Sequence, residues 1–286
     1  MDSFLSRNPN DKMRLNSAPN SVGGADFWIG LQKFTSARIA IGRAGGSQRT
    51  PSILDFRLAH ALARDAVHAV FYPEKIAHDL KEAGFESVVL RTMIDDKPAY
   101  LMKPDLGRKL CEQSRQELKK IVEKYGRKDF AIVISDGLSA TAALNHSVKM
   151  VSMLMENMPS KDWSMYPVII APFARVKIQD DINEILGARH TLVLIGERPG
   201  LGSPDSLSAY FTYKSKWASV ESDRNCISNI RPLGMPLEIA AKKLSILLKE
   251  SLRLKISGTA LKDNIDQSAI LDADIPNKKL ADKGVI

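Results

Sequence analysis

Cysteine is nearly absent. Only Cys111 and Cys226 occur in 286 residues. They stand far apart in no CxxC pair, which argues against a disulfide scaffold, a zinc site or an iron–sulfur site and fits a reducing cytosol. The five histidines, His60, His68, His78, His146 and His190, form no H-x-x-x-H or H-E-x-x-H group, so no metal held by side chains is expected. Aromatic residues make up 6% of the chain, and no nucleic-acid-binding module is recognisable. No apolar run reaches the length of a membrane span. Asp2, Arg7, Asp11, Lys12 and Arg14 interrupt each short apolar stretch near the start, so no secretory signal is expected.

What is present is a chain of one or two domains, 44% apolar, with enough material for a large core. Its formal net charge is +8 and its pI about 9.4. The basic residues are spread along the chain, which suits a solvated or partner-facing surface better than a nucleic-acid footprint.

Residues 1–24 read as a polar leader, with Phe4, Leu5, Met13 and Leu15 as a weak amphipathic pattern. From Thr50, a plausible N-cap, a helix begins with Pro51 in its first turn and an apolar stripe of Ile53, Leu54, Leu58, Ala61 and Leu62. Arg57, His60, Arg64 and His68 share another face, either solvated or turned to a partner or ligand. Ser87–Leu90 could form a strand. A helix is expected from Leu106 towards Tyr125. Residues 25–125 thus read as a mostly helical N-terminal part.

After Gly126 the rhythm changes. Phe130–Ile134, Tyr166–Ala171 and Thr191–Ile195 are continuous apolar runs, as in buried parallel strands. Leu144, Val148, Val151, Met155 and Met158 recur at helical spacing, a core stripe. Asp180–Leu186 reads as a short helix closed by Gly187. Leu207, Ala209, Phe211 and Tyr213 alternate, as in a half-buried strand. Pro236 opens a last helix that ends before Gly258. The expected fold is α/β: a parallel-sheet, Rossmann-like C-terminal domain over 126–260, with a polar tail at 261–286.

Three loops could carry chemistry. Gly196–Ser206 is rich in Gly and Pro, presents Glu197, Arg198 and Asp205, and follows a strand, where ligands of open α/β sheets bind. Ser135-Asp136-Gly137-Leu138-Ser139 joins strand to helix. It reads equally as a polar-ligand site or as a plain capped turn, and lacks the G-x-S-x-G order of a hydrolase elbow. Gly42–Gly46 lacks both the dinucleotide and the P-loop spacing, leaving Arg43 on a turn. Cys226 sits in the polar stretch Arg224–Ile230, a buried small residue or a loop at the sheet edge. On residue chemistry alone the chain is an α/β ligand-binding protein.

Several segments together resemble the small (light) subunit of ethanolamine ammonia-lyase. They are Ile41–Gly45, Phe56-Arg57 with His60 and Ala63–Val67, Lys103–Arg108, Ser135–Ala140, the Gly-Glu-Arg-Pro-Gly loop from Gly196, and Arg224–Arg231, in the family's order across residues 36–255. The resemblance implies a hetero-oligomer in which adenosylcobalamin supplies the radical that converts ethanolamine to acetaldehyde and ammonia. A barrel-shaped large subunit would hold the substrate and most catalytic groups, while the small subunit covers the cofactor. It implies cobalamin contacts at Val176, Glu197 and Cys226, no catalytic residue on this chain, no nucleic acid or membrane as partner, and a place in the cytoplasm or inside a bacterial microcompartment. Asp65-Ala66-Val67-His68 lacks the spacing that supplies a cobalt-ligating histidine in other cobalamin proteins, which suits the family's base-on binding. The long polar C-terminal extension departs from the family pattern. The rival readings are a stand-alone α/β enzyme for a phosphorylated metabolite, using Arg43, Arg198 and the Asp136-Gly137 turn, and a binding or scaffold protein.

Overall fold

The computed structural model describes residues 27–35, 37–39, 41–158 and 163–263. The expected polar leader and its apolar positions, and all but the first residues of the expected tail, lie outside these. By internal contacts the chain separates into two units, 1–57 and 58–286.

The first unit holds a 3-10 helix at Phe27–Phe34, a small antiparallel pair of strands, β1 (Arg43–Ala44) and β2 (Ser47–Gln48), and the opening of α1 (Thr50–His68). Arg38 Nε meets Asp55 Oδ2 at 3.0 Å, and Ser52 Oγ donates to Ile41 O at 3.2 Å. Arg57, His60, Arg64 and His68 are all exposed on α1.

The second unit continues with α2 (Pro73–Glu82), β3 (Ser87–Val89), α3 (Lys97–Met102), α4 (Glu112–Tyr125), β4 (Phe130–Ser135), α5 (Ala140–Glu156), β5 (Val168–Ile170), α6 (Ile178–Leu186), β6 (His190–Gly196), β7 (Leu207–Tyr213), β8 (Asn225–Ile230) and α7 (Leu237–Leu254). Six strands form one sheet in the order β3-β5-β4-β6-β7-β8. Two cores cover its faces. Ile76 and Leu80 of α2, Met150 and Leu154 of α5, and Leu244 and Leu248 of α7 pack on one side. Leu118 of α4 and Ile178, Ile182 and Leu186 of α6 pack on the other.

The continuous apolar runs explain the middle of this sheet. All six residues of β4 and all seven of β6 are buried, because helices lie over both faces. The fold is α/β as expected, but the sheet is mixed. β3, β5, β4 and β6 run parallel, whereas β7 and β8 are antiparallel to their neighbours. The physical reason is the connection: residues 197–206 contain no helix, and a parallel return needs a crossover of about a dozen residues or more, usually helical.

Other differences are local. Ser87–Val89 is a strand, as read from Ser87–Leu90, but it pairs with β5 in the central sheet and does not stay within a helical N-terminal part. The helix expected from Leu106 starts at Glu112, because Leu110 bridges to Thr92 and donates its N–H to the buried Asp181 Oδ2 at 2.8 Å. Leu207, Ala209 and Phe211 point into the core as their alternation implies, yet Ser208 between them is also buried. The polar stretch 225–230 is an edge strand, where one exposed row of side chains leaves no apolar signature.

Candidate functional site

At the carboxyl ends of β4 and β6, two turns meet backbone to backbone. Leu138 N–H donates to Gly196 O at 3.0 Å. Asp136, at the end of β4, is 1% exposed. It takes a hydrogen bond from Lys97 Nζ at 3.3 Å and one from Phe173 N–H at 2.7 Å. Burial pushes its carboxyl above the usual range, with the Lys97 charge pulling the other way. Phe173 has φ 57, an uncommon conformation for a bulky residue. The buried carboxylate thus holds a strained turn that leads directly into Ala174-Arg175-Val176. Arg175 N–H donates to Gly107 O at 2.8 Å, its Nη2 to Tyr100 O at 2.7 Å, and its guanidinium lies 3.9 Å from the Tyr100 ring centroid.

The loop after β6 is pinned at several points. Glu197 N–H donates to Ser206 O at 2.9 Å, and Gly200 and Ser203 exchange two hydrogen bonds of 3.1 Å around the Leu201-Gly202 turn. Ser139 Oγ donates to Pro204 O at 2.8 Å. His146 Nε2 lies 3.2 Å from Asp205 Oδ2, and this hydrogen bond holds the Asp205 carboxyl below its usual range. The two proline rings add stiffness.

Between the loop and Val176 opens a cleft of about 370 Å³ whose walls include Val176, Ile195, Glu197, Ser208, Tyr210 and Ser228. Val176 and Glu197, expected from the sequence as site residues, therefore line the same space. Cys226 is exposed on β8 directly across from Tyr210. Burial of the thiol's immediate surroundings pushes its pKa up even though the residue keeps an exposed face; a hydrogen bond from Tyr210 acts in the opposite sense. Burial likewise raises the Tyr210 hydroxyl to about 12. Glu197 Oε1 accepts a hydrogen bond from Ser208 Oγ and another from Asn229 N–H at 2.8 Å.

A larger cleft of about 750 Å³ lies elsewhere, lined by Arg91, Lys109, Cys111, Arg115, Asp181 and Trp217 among others. It contains none of the expected site residues, and size alone does not outweigh the position of the smaller cleft at the rim where open α/β sheets bind ligands. Among the described residues, His78, Asp79 and Glu82 bring potential ligand atoms within 4.8 Å of one another on α2; neighbouring positions on a solvated helix account for this. Arg43 lies in the first unit on β1.

Sequence reasoning missed Tyr100, Arg175, Ser208 and Tyr210. Ser208 and Tyr210 occupy the alternate positions of β7, so the apolar pattern that identified the strand also implied a second, polar-capable face. Nothing in the sequence around Tyr100 signalled a site.

The family model for the ethanolamine ammonia-lyase light chain matches residues 25–262. This chain belongs to that family. A protein of Azotobacter vinelandii named ethanolamine ammonia-lyase small subunit is 44% identical over 240 residues, covering 84% of this chain and 89% of that one. A protein of Pseudomonas syringae pv. tomato with the same name is 43% identical over 260 residues, covering 91% and 89%. One from Pseudomonas fluorescens is 45% identical over 237 residues, covering 82% and 86%. The ethanolamine ammonia-lyase light-chain match spans every described residue except the last, and so includes the cleft and both of its pinned loops.

Proposed function

We propose that this chain is the small subunit of an adenosylcobalamin-dependent ethanolamine ammonia-lyase, which together with a large subunit converts ethanolamine to acetaldehyde and ammonia. Family membership supports the reaction and the two-subunit arrangement. The observation that carries the cofactor assignment is Glu197. It is a half-buried carboxylate at the rim of the sheet, held at one oxygen by two donors and bordering a cleft shared with Val176.

The residues fit a corrin. Val176, Leu138 and Ile195 offer apolar surface to a ring, while Glu197 offers an acceptor to amide groups at the ring's edge. A cleft of about 370 Å³ accommodates only part of so large a group, which suits a cofactor shared with a second polypeptide. Bound adenosylcobalamin would supply the radical that abstracts substrate hydrogen. This chain's own part is positional. Glu197 accepts hydrogen bonds, Val176 packs, and Cys226 with Tyr210 forms the flank. The contributing residues fall within 126–260, the cobalamin-facing part, apart from the Tyr100 support. No catalytic group is assigned to this chain.

No described helix is long and apolar enough to cross a membrane. We place the complex in the cytoplasm or a bacterial microcompartment. The rival reading of a stand-alone enzyme is weakened because Asp136, one of its proposed groups, is buried and fully engaged within the fold.

The test compares the purified chain, the large subunit and the complex for acetaldehyde formation. Turnover is expected from the complex alone; turnover by this chain alone overturns the division of labour. Glu197→Ala in the complex should weaken cobalamin retention, and an unchanged titration removes Glu197 from the contacts.

A further inference from the structure

The Glu197 carboxylate does not hang freely from its loop. Its Oε1 receives both the Ser208 hydroxyl and the Asn229 N–H, the latter at 2.8 Å. Among the described residues, no hydrogen bond reaches Oε2.

Both donors are products of the antiparallel strands. Ser208 is 1% exposed and opposes Ile195 of β6, two residues before Glu197. Asn229 comes from an irregularity in β8. Leu207 pairs with Ile230 and Ala209 with Ile227, so Ser208 alone faces both Ser228 and Asn229. This is a bulge, and a bulge leaves a residue outside the ladder. Asn229 has φ 58, a left-handed conformation that asparagine tolerates better than most residues. Its N–H is thereby released from strand pairing and given to Glu197. The Asn229 carbonyl is taken in turn by Met235 N–H at 2.7 Å, and its side-chain oxygen by Arg231 Nε at 2.9 Å, which fixes the bulge from behind.

We propose that Ser208 is a positioning residue. With the bulged Asn229 amide, it saturates one oxygen of Glu197 and fixes the carboxylate plane, so that the other oxygen is presented, preoriented, to an N–H donor on the edge of the ligand. This rests on the reading of Glu197 as a cofactor contact. The chemistry selected is a neutral donor such as a primary amide. A ligand carboxylate or phosphate at the same point would meet an oxygen of like charge. Holding a group by its neighbours lowers the ordering cost of binding.

The experiment uses the assembled two-subunit complex. It is titrated with adenosylcobalamin without substrate and read by corrin absorbance, for wild type, Ser208→Ala, Glu197→Ala and the double variant, with thermal midpoints measured alongside. Loss of one hydrogen bond to a charged group should weaken binding by roughly tenfold in Ser208→Ala. Adding Ser208→Ala to Glu197→Ala should cost almost nothing further, because Ser208 acts through the carboxylate. A Ser208→Ala complex that binds normally overturns the inference. So does a double variant whose loss is the sum of the two, which is what a general structural defect gives. If Glu197→Ala itself leaves affinity unchanged, the contact reading fails and this inference falls with it. A loss in Glu197→Ala without one in Ser208→Ala sinks the inference alone.

Discussion

Gly137 and Gly196 are packed so closely that neither has room for a side chain. A Cβ on Gly137 would lie 2.3 Å from Gly196 O, and one on Gly196 would lie 2.1 Å from Ser139 O and 2.5 Å from Asp136 O. Gly137 also has φ 55, within the left-handed region. This contact joins the end of β4 to the end of β6 and forms the base of the cleft.

Alanine at either position should therefore cost on the order of 3 kcal/mol through forced backbone movement, and at Gly137 through conformational strain as well. Gly202, at the tip of the loop, has nothing within 4 Å of its would-be Cβ. Gly202→Ala should stay within about 0.5 kcal/mol of wild type. Denaturant unfolding of the three variants tests the contrast, and equal losses at all three positions would refute the packing account.

Arg224 and Asp180 form a buried ion pair. Nη1 and Nη2 reach the two carboxylate oxygens at 2.9 and 2.7 Å, with side chains 1% and 0% exposed. Removing Arg224 leaves Asp180 only Lys177, at 3.4 Å, in place of the two-pronged bond, so the loss should fall at the lower end of the range for broken buried pairs, about 3 kcal/mol. Arg224→Lys should recover little, since an ammonium cannot reproduce the two-pronged geometry. Full recovery in chemical denaturation would contradict the role of the fork.

His190 should make the fold acid-sensitive. Its ring lies fully buried, 5.0 Å from Trp163 and 5.0 Å from Tyr213 by centroid. Ser251 Oγ donates its single proton to Ile256 O, so His190 Nε2–H must be the donor across the 2.9 Å contact to Ser251. Nδ1 then remains bare, with no hydrogen-bond partner. Burial, assisted by Arg189, lowers the pKa to about 3. A depressed folded value means the unfolded chain binds the proton more readily. The contribution is whole above the unfolded value of about 6.5 and is lost as pH falls towards the folded one, at about 1.4 kcal/mol per pH unit. Stability against pH for wild type and His190→Gln should diverge in slope below pH ~6.5; parallel curves would refute this.

Cys226 should alkylate slowly at neutral pH despite its exposure, because the thiol is held above its ordinary range and the thiolate is the nucleophile. Tyr210→Phe removes a hydrogen bond that favours the thiolate and should slow the reaction further. Mass-resolved iodoacetamide labelling of the isolated chain against pH reads both effects. Faster labelling in Tyr210→Phe would reverse the assigned direction.

The sequence disclosed the buried parts of this fold better than its edges. β4 and β6 announce themselves because continuous burial demands continuous apolarity. The Gly196–Ser206 loop does so because a sharply turned, stiff rim needs Gly and Pro. β8 escaped because an edge strand with one wet face is nearly polar throughout, and the antiparallel ending escaped because strand direction is set by the connection rather than by residues within the strand. Of the residues that line the candidate cleft, Glu197 and Val176 were legible from family wording. Ser208 was not, since a buried serine in an alternating strand looks like any small filler. Its meaning arises only when the bulge in β8 brings Asn229 opposite.

The pleat of β7 gives the cleft wall a parity. Leu207, Ala209 and Phe211 face the aliphatic interior, while Ser208 and Tyr210 face the other way, beside Cys226 on β8. Insertion or deletion of a single amino acid at the start of β7 would exchange the two rows at once, sending hydroxyls into oil and hydrocarbon to the cleft. A change of length is tolerated instead at a bend such as Leu201-Gly202, where Gly202 has open space around it.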